Sequence, residues 1–244
     1  MKSEIYSFIK ENIDFIEASG GGGSYTQLPV FELTPRDFIY FAEKDLEGDL
    51  SPYTLVNATS NLKRAIDCQL DYILIFLNLD SLYRKKRLGI DRKLGFLSKS
   101  GIFSSRSIEK LNKLRNRLEH HYEIPDIKDV DVYFDLVSAF VSICENYVIS
   151  VLNNSEVEFS DERAEKNEYG ITSEINVEKP LIKINLDAPS NSYEFVVNLD
   201  EKAKPNLDQI ESFAYLLKTH TLLFHYYSGA ITKLRLLQEL KREV

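Results

Sequence analysis

Residues 115–122 read RNRLEHHY and bring two arginines, an amide, a carboxylate, two histidines and a tyrosine into one short stretch. The other histidines, His220 and His225, lie about a hundred residues further along the chain. Apolar residues recur here with the spacing of an α-helix, which Pro125 would end: Leu111, Leu114, Leu118 and Tyr122. On a helical wheel the polar groups fill the neighbouring sector. The pattern predicts a helix that presents proton-transfer and anion-binding groups beside a core-facing stripe.

These side chains suit the cleavage of RNA without a metal. The 2′-hydroxyl must lose a proton, the leaving 5′-oxygen must gain one, and charge on the phosphoryl oxygens must be stabilised. Histidine holds both protonation states near neutral pH, and arginine can bridge two phosphate oxygens. His120 and Arg115 are therefore the predicted catalytic pair. Asn116 would position a phosphate oxygen or His120, and Tyr122 would hydrogen-bond the substrate or support the arginine, whereas His121 falls in the apolar sector.

The same residues also admit a purely structural interpretation. Arg115 would pair with Glu119 one turn away, while Asn116 and His120 would bind backbone groups.

The motif formed by Arg115, His120 and Tyr122 resembles the R-x4-H-x-Y signature of HEPN domains, an all-helical superfamily of RNases and toxins. Asn116 matches the polar residue that the family favours after its arginine, and residues 61–71 resemble the family's first long helix. The resemblance covers roughly residues 34–152. It implies an endoribonuclease that dimerises so that two motifs face one cleft, leaving a 2′,3′-cyclic phosphate and a 5′-hydroxyl.

Other features follow from the resemblance alone. Members of the HEPN family include toxins and antiviral defence effectors. In some of them a partner nucleotidyltransferase, which acts as an antitoxin, adenylates the tyrosine that matches Tyr122. Tyr122 is therefore also a predicted modification site. Two alternatives stay open: a HEPN module that binds a nucleotide or RNA without cleaving it, and a dimeric adaptor whose sheet and last helix form the partner surface.

A basic block leads into the motif. Residues 84–117 contain twelve basic and two acidic residues, a net charge of +10 in a chain whose total is −8. Such a block beside a candidate site favours a polyanionic substrate, although a solvated charged linker explains it equally well. The predicted substrate contacts are Arg84, Lys85, Lys86, Arg87, Arg117 and Glu119.

Composition is typical of a soluble protein of 244 residues, with 43% hydrophobic and 28% charged residues. Acidic residues interrupt the N-terminal apolar pattern, so no signal peptide is expected, and no apolar run is expected to reach membrane-spanning length. Two isolated cysteines, Cys68 and Cys144, do not suggest a disulfide framework, and a cytoplasmic location is predicted. The histidine and cysteine spacing predicts no metal site, and no cofactor is expected.

The predicted fold is mainly α and α+β overall: an antiparallel HEPN-like helical bundle, a small C-terminal antiparallel β-sheet and a long C-terminal helix. Three regions are expected, namely an N-terminal helix and glycine-rich linker over 1–33, the helical domain over 34–152 and the sheet-plus-helix appendage over 153–244. Thr34-Pro35 and Ser51-Pro52 predict helix starts, with the second helix running to about Arg87. From Asp208 one long helix is predicted, kinked at Gly229, with His220 and His225 in structural roles.

Overall fold

The computed structural model describes residues 1–23, 28–103, 106, 113, 116, 126–161, 169–200, 202 and 204–242. Within these residues the protein is α+β. The helices are α1 (Lys2–Asn12), α2 (Pro35–Glu47), α3 (Pro52–Phe76), α4 (Asp80–Lys85), α5 (Ile90–Lys99), α6 (Ile127–Asn153), α7 (Leu207–Tyr227) and α8 (Lys233–Lys241). The strands are β1 (Glu17–Gly22), β2 (Glu156–Ser160), β3 (Gly170–Asn176), β4 (Leu181–Ala188) and β5 (Asn191–Asn198). Arg106, Lys113 and Asn116 are also helical.

The chain divides into two compact units. The helical unit comprises Gln27–Ile149, and the sheet unit comprises Met1–Thr26 together with Ser150–Val244. The first residues of the chain, predicted as a separate region, thus belong to the same unit as the C-terminal sheet.

The two predicted proline-marked helix starts are confirmed. Thr34 and Ser51 are the N-caps of α2 and α3, and each forms a reciprocal capping box with the residue three positions later. Arg36 at the start of α2 then binds Glu145 of α6 within the helical unit.

The predicted single helix from Ser51 to Arg87 is wrong, because α3 ends at Phe76 and a separate helix, α4, follows. Asn78 takes a left-handed conformation with φ 55°, which a continuous α-helix does not allow. The apolar period continues through the break, since Leu77, Leu79 and Leu82 are all buried. Periodicity alone could therefore not locate the helix end.

Helix α6 corrects the expectation about apolar runs. Its residues Ile127–Val151 are long and apolar enough to cross a membrane by length and composition, with a mean hydropathy of 1.4. The same test is passed by core helices of soluble proteins, and α6 contributes Tyr133, Val137 and Phe140 to the buried core.

The sheet is an antiparallel meander in the order β1-β2-β3-β4-β5. Inward-facing residues alternate along β2, β3 and β4 and are buried on the side where α7 packs: Val157, Phe159, Ile171, Ile175, Ile182, Ile184 and Leu186. The opposite face is polar and carries exposed carboxylates: Glu156, Glu174, Asp187 and Glu194. This alternation is typical of a sheet with one covered face.

The prediction of a glycine-rich linker after the N-terminal helix is wrong for the first four residues of the glycine-rich run 19–24. Ser19–Gly22 belong to strand β1, which pairs with β2 through matches such as Gly21 with Val157. A side chain at Gly21 would place its Cβ 2.8 Å from the backbone oxygen of Glu156. Glycine is therefore present here because the neighbouring strand lies close.

The predicted single C-terminal helix is also two helices. Gly229 has φ 73° and follows the end of α7, and Thr232 caps the start of α8. A left-handed glycine ends a helix rather than bending it. Helix α7 packs on strands β2–β5, and α8 packs on both α1 and α7.

Candidate nucleic-acid interface

Of the predicted catalytic residues, one is described. Asn116 is helical and exposed. Arg115, His120 and Tyr122 lie outside the described residues, and so do the predicted substrate contacts Arg117 and Glu119.

The other four predicted substrate contacts lie together at the end of α4. Arg84, Lys85, Lys86 and Arg87 are all exposed, and Arg92 is exposed in the first turn of α5. We call residues 84–92 the basic turn. Sequence reasoning did not select Arg92 individually, although it lay within the basic block.

Buried side chains hold the basic turn in place. Leu82 and Tyr83 of α4 are 4% and 2% exposed, and the Tyr83 ring meets Phe96 of α5 edge-to-face at 6.1 Å between centroids. Burial also raises the pKa of the Tyr83 hydroxyl, which therefore stays neutral. The cations of the basic turn therefore project from α4 and α5, which pack against each other through these buried side chains.

Few carboxylates offset these cations. Arg84 Nε binds Asp80 Oδ1 at 2.9 Å within α4, and Lys93 Nζ binds Asp71 of α3 at 2.5 Å. Lys86, Arg87 and Arg92 form no ion pair with any residue that the structure describes. These three side chains remain available to an external anion.

The backbone of the basic turn is itself unusual. Four helices, α3, α4, α5 and α7, end in the same pair of backbone hydrogen bonds: the left-handed residue donates to the carbonyl three residues earlier, and the next residue donates to the carbonyl five residues earlier. The left-handed residues are Asn78, Arg87, Gly101 and Gly229.

Glycine adopts this conformation freely and asparagine tolerates it, whereas a residue with a long side chain is destabilised by about 1–2 kcal/mol. Arginine stands at this position only in α4, where φ is 54°. No contact among the described residues accounts for an arginine at that position. A strained residue that packing does not explain is a ground for a functional hypothesis.

The histidines of the sheet unit have a structural explanation. His220 of α7 is 2% exposed, with Nδ1 2.9 Å from Ser173 Oγ and Nε2 2.9 Å from the carbonyl oxygen of Asn154. Because a carbonyl only accepts, Nε2 carries the proton and Nδ1 accepts from the serine. Burial lowers the pKa of His220 to about 4, so the ring is neutral. Burial also lowers the pKa of His225.

Among the described residues, no group of three histidine, cysteine or carboxylate side chains could hold a metal ion. Cys68 and Cys144 are free thiols.

Comparison with protein-family models, with curated proteins and with solved structures returned no match. The functional assignment therefore depends on the motif and on the surface described above.

Proposed function

We propose that this protein is a metal-independent endoribonuclease of the HEPN type, in which the helical unit forms a HEPN-like antiparallel bundle and two copies share one cleft. The motif at 115–122 supports the chemistry. The observation that carries the proposal is the basic turn, where three unpaired cations, one of them the strained Arg87, lie in the same unit as Asn116.

The basic turn supplies the substrate contact. Lys86, Arg87 and Arg92 would bind phosphates of an RNA strand, and because they meet the backbone they would tolerate many sequences. This contact would supply affinity, whereas the motif helix would supply the reaction.

The reaction needs a base, an acid and a positive charge. The His120 imidazole of one copy would accept the 2′-hydroxyl proton as the 2′-oxygen attacks phosphorus. The His120 imidazolium of the other copy would donate a proton to the 5′-oxygen as its bond to phosphorus breaks. Arg115 would stabilise the charge on the phosphoryl oxygens, and Asn116 and Tyr122 would position the phosphate.

The biological setting that fits this activity is a cytoplasmic toxin or antiviral defence effector. In that setting a partner nucleotidyltransferase would silence the enzyme by adenylating Tyr122, as the family resemblance implies. The phenolic oxygen of Tyr122 is the atom that would be modified.

The deciding experiment incubates RNA with the purified protein in the presence of EDTA. We expect cleavage with 2′,3′-cyclic phosphate ends, and we expect His120→Ala and Arg115→Ala to reduce the rate by about 100-fold or more. His121→Ala is the matched control, because its position in the apolar sector predicts little loss of activity. All variants should keep the parent's circular dichroism spectrum and oligomeric state.

The proposal is rejected if the parent, confirmed as a dimer, cuts neither structured nor unstructured RNA, or if His120→Ala cuts as fast as the parent. Saturable RNA binding without cleavage would identify the inactive binding module. Neither binding nor cleavage would identify the adaptor.

A further inference from the structure

Strand β5 forms one edge of the sheet, since β4 is the strand it pairs with and it is last in the strand order. The backbone N–H of Leu199 donates to the carbonyl oxygen of Pro180 at 2.8 Å, and pairs bonded in this way alternate along an antiparallel ladder. The residues of β5 whose N–H and C=O groups point away from β4 are therefore Ser192, Glu194, Val196 and Asn198. No described residue forms a hydrogen bond with these outward backbone groups.

The two edges of the sheet differ in their protection against further pairing. Edge strands of natural proteins are commonly interrupted by a bulge, a proline or a lysine. Strand β1, at the other edge, shifts register between Ala18 and Gly20. Strand β5 pairs with β4 without a shift and contains neither proline nor lysine, and its one charged residue, Glu194, already binds Lys183 of β4 at 2.6 Å. The β5 edge therefore lacks the features that prevent another strand from pairing with it.

The apolar layer on the α7 side of the sheet is incomplete at this edge. The residues of β4 on that side are 0% exposed: Ile182, Ile184 and Leu186. The residues of β5 that pair with them are only half-buried: Tyr193, Phe195 and Val197. A strand added at the β5 edge would cover these apolar side chains as well as bond the outward backbone groups.

The sequence of β5 suits pairing with a second copy of itself. A two-fold axis at Phe195 places Glu194 opposite Val196 and brings all four outward-pointing residues into hydrogen-bonded pairs. On the α7 side, the two Phe195 side chains would meet, and Tyr193 would meet Val197. Aromatic and β-branched side chains paired in this way stabilise antiparallel strands. An axis at Glu194 would instead place two carboxylates opposite each other, and an axis at Val196 would pair fewer residues.

We propose that two copies of the chain pair their β5 edges antiparallel about Phe195 and so form one continuous sheet. This interface is independent of the ribonuclease proposal, because β5 lies in the sheet unit and the motif lies in the helical unit. Two such isologous interfaces on one chain would build a tetramer or an open row of copies.

Disulfide cross-linking of the full chain tests the interface and its register. Phe195→Cys would bring two thiols together at a non-hydrogen-bonded pair, where the Cα atoms are about 4.5 Å apart. Val197→Cys on the same side is the matched control, because its two thiols would lie about 14 Å apart along the strands. With oxidised glutathione we expect Phe195→Cys to form the covalent dimer in about tenfold the yield of the control or more. Cys68 and Cys144 are present in both variants, so the parent gives their background.

A second pair of variants tests the backbone bonding. Val196→Pro removes one outward N–H and no bond to β4, and proline is tolerated on an edge strand at such a position. We expect it to halve the mass of the parent oligomer in sedimentation at micromolar concentration. Val196→Thr keeps both the N–H and the strand propensity, so it should keep the parent's mass. Circular dichroism and thermal denaturation check that both variants are folded.

The proposal fails if Phe195→Cys and Val197→Cys cross-link to the same extent, or if folded Val196→Pro keeps the parent's mass. Either result with a dimeric parent would remove the β5 pairing and leave the dimer of the ribonuclease proposal intact. A monomeric parent would overturn both interfaces and leave the β5 edge to a strand of another protein.

Discussion

Each unit contains residues of rare type or unusual conformation, and the two units differ in whether neighbouring residues explain them. In the sheet unit, apart from the exposed left-handed Lys204, contacts with neighbouring residues explain them: a buried histidine is hydrogen-bonded to Ser173, and Gly21 lies against the backbone of Glu156. In the helical unit they lie at the surface: a left-handed Arg87 and the unpaired cations beside it. Packing explains the first group and does not explain the second. Unexplained backbone strain at the surface is therefore a better indication of a functional site than a rare residue type such as histidine.

The largest expected effect tests the buried histidine of the sheet unit. The folded pKa of His220 is about 4, below its unfolded value of about 6.5. Below pH 6.5 the unfolded chain takes up a proton that the folded chain refuses. The free energy of unfolding should therefore fall as pH drops from 6.5 to 4, by about 3 kcal/mol for this group. Hydrogen exchange of the amides of β3 and β4 measures the loss.

His220→Gln cannot titrate, so most of this pH dependence should vanish in that variant even if its stability at pH 7 is lower. His225→Gln is the control, since that ring is less buried and should carry a smaller share. An unchanged decline in His220→Gln would show that other groups dominate the acid sensitivity.

The second effect tests the surface cations. Replacing Arg84, Lys85, Lys86 and Arg87 together with glutamine should lower the salt dependence of RNA binding by about 0.7 units of slope per lost phosphate contact. The two lost contacts of Lys86 and Arg87 would weaken the Kd by roughly 25-fold at 0.1 M salt. Fluorescence anisotropy over a salt series measures both quantities.

The matched control removes four cations from α8 and its C-cap, namely Lys233, Arg235, Lys241 and Arg242. It changes the net charge by the same amount. If RNA binds at the basic turn, the salt dependence of RNA binding by this control should change little. If the salt dependence of RNA binding is the same in both variants, the basic turn makes no specific contact with RNA and is only a solvated surface.

A third test asks whether β1 is a strand or a linker. Gly21→Ala should destabilise the sheet unit by about 2 kcal/mol, because its Cβ would meet a backbone oxygen at 2.8 Å. At Gly22 the nearest atom is a side-chain oxygen at 3.5 Å, so Gly22→Ala should be tolerated. Urea denaturation measures the difference. If both variants are as stable as the parent, the segment behaves as a linker.

The smallest effect separates stability from function at one residue. Arg87→Gly should stabilise the helical unit by up to about 1 kcal/mol, because it removes left-handed strain, and should weaken RNA binding. Lys86→Gly, one residue earlier in a right-handed conformation, should instead lose stability. Thermal denaturation and anisotropy on the same samples make the comparison. RNA binding unaffected by Arg87→Gly would leave the strain without a functional explanation.

Local signals predicted much of this fold. The caps at Thr34 and Ser51 were found because the capping residues and their proline neighbours are adjacent in sequence. The C-terminal antiparallel sheet was predicted because the apolar residues of what are now strands β2–β5 alternate. Strand β1 was missed because a run of glycines carries no alternation and its pairing is fixed by a distant partner. The helix end at Asn78 was missed because the apolar spacing passes through it.

The candidate site divides in the same way. The basic turn was predicted as a charged block, but the left-handed Arg87 depends on backbone geometry that composition does not encode.

The division of the sheet unit between the two ends of the chain has a consequence for synthesis. The helical unit is continuous, so all its contacts are available once residue 149 has left the ribosome. Strand β1 must instead wait for β2, which follows more than a hundred residues later, and helix α1 must wait for β4 and α8. Closing so long a loop slows folding. The nascent chain therefore carries an unpaired glycine strand and an uncovered apolar helix while the rest is made, and this interval is when the chain is most exposed to chaperones and to aggregation.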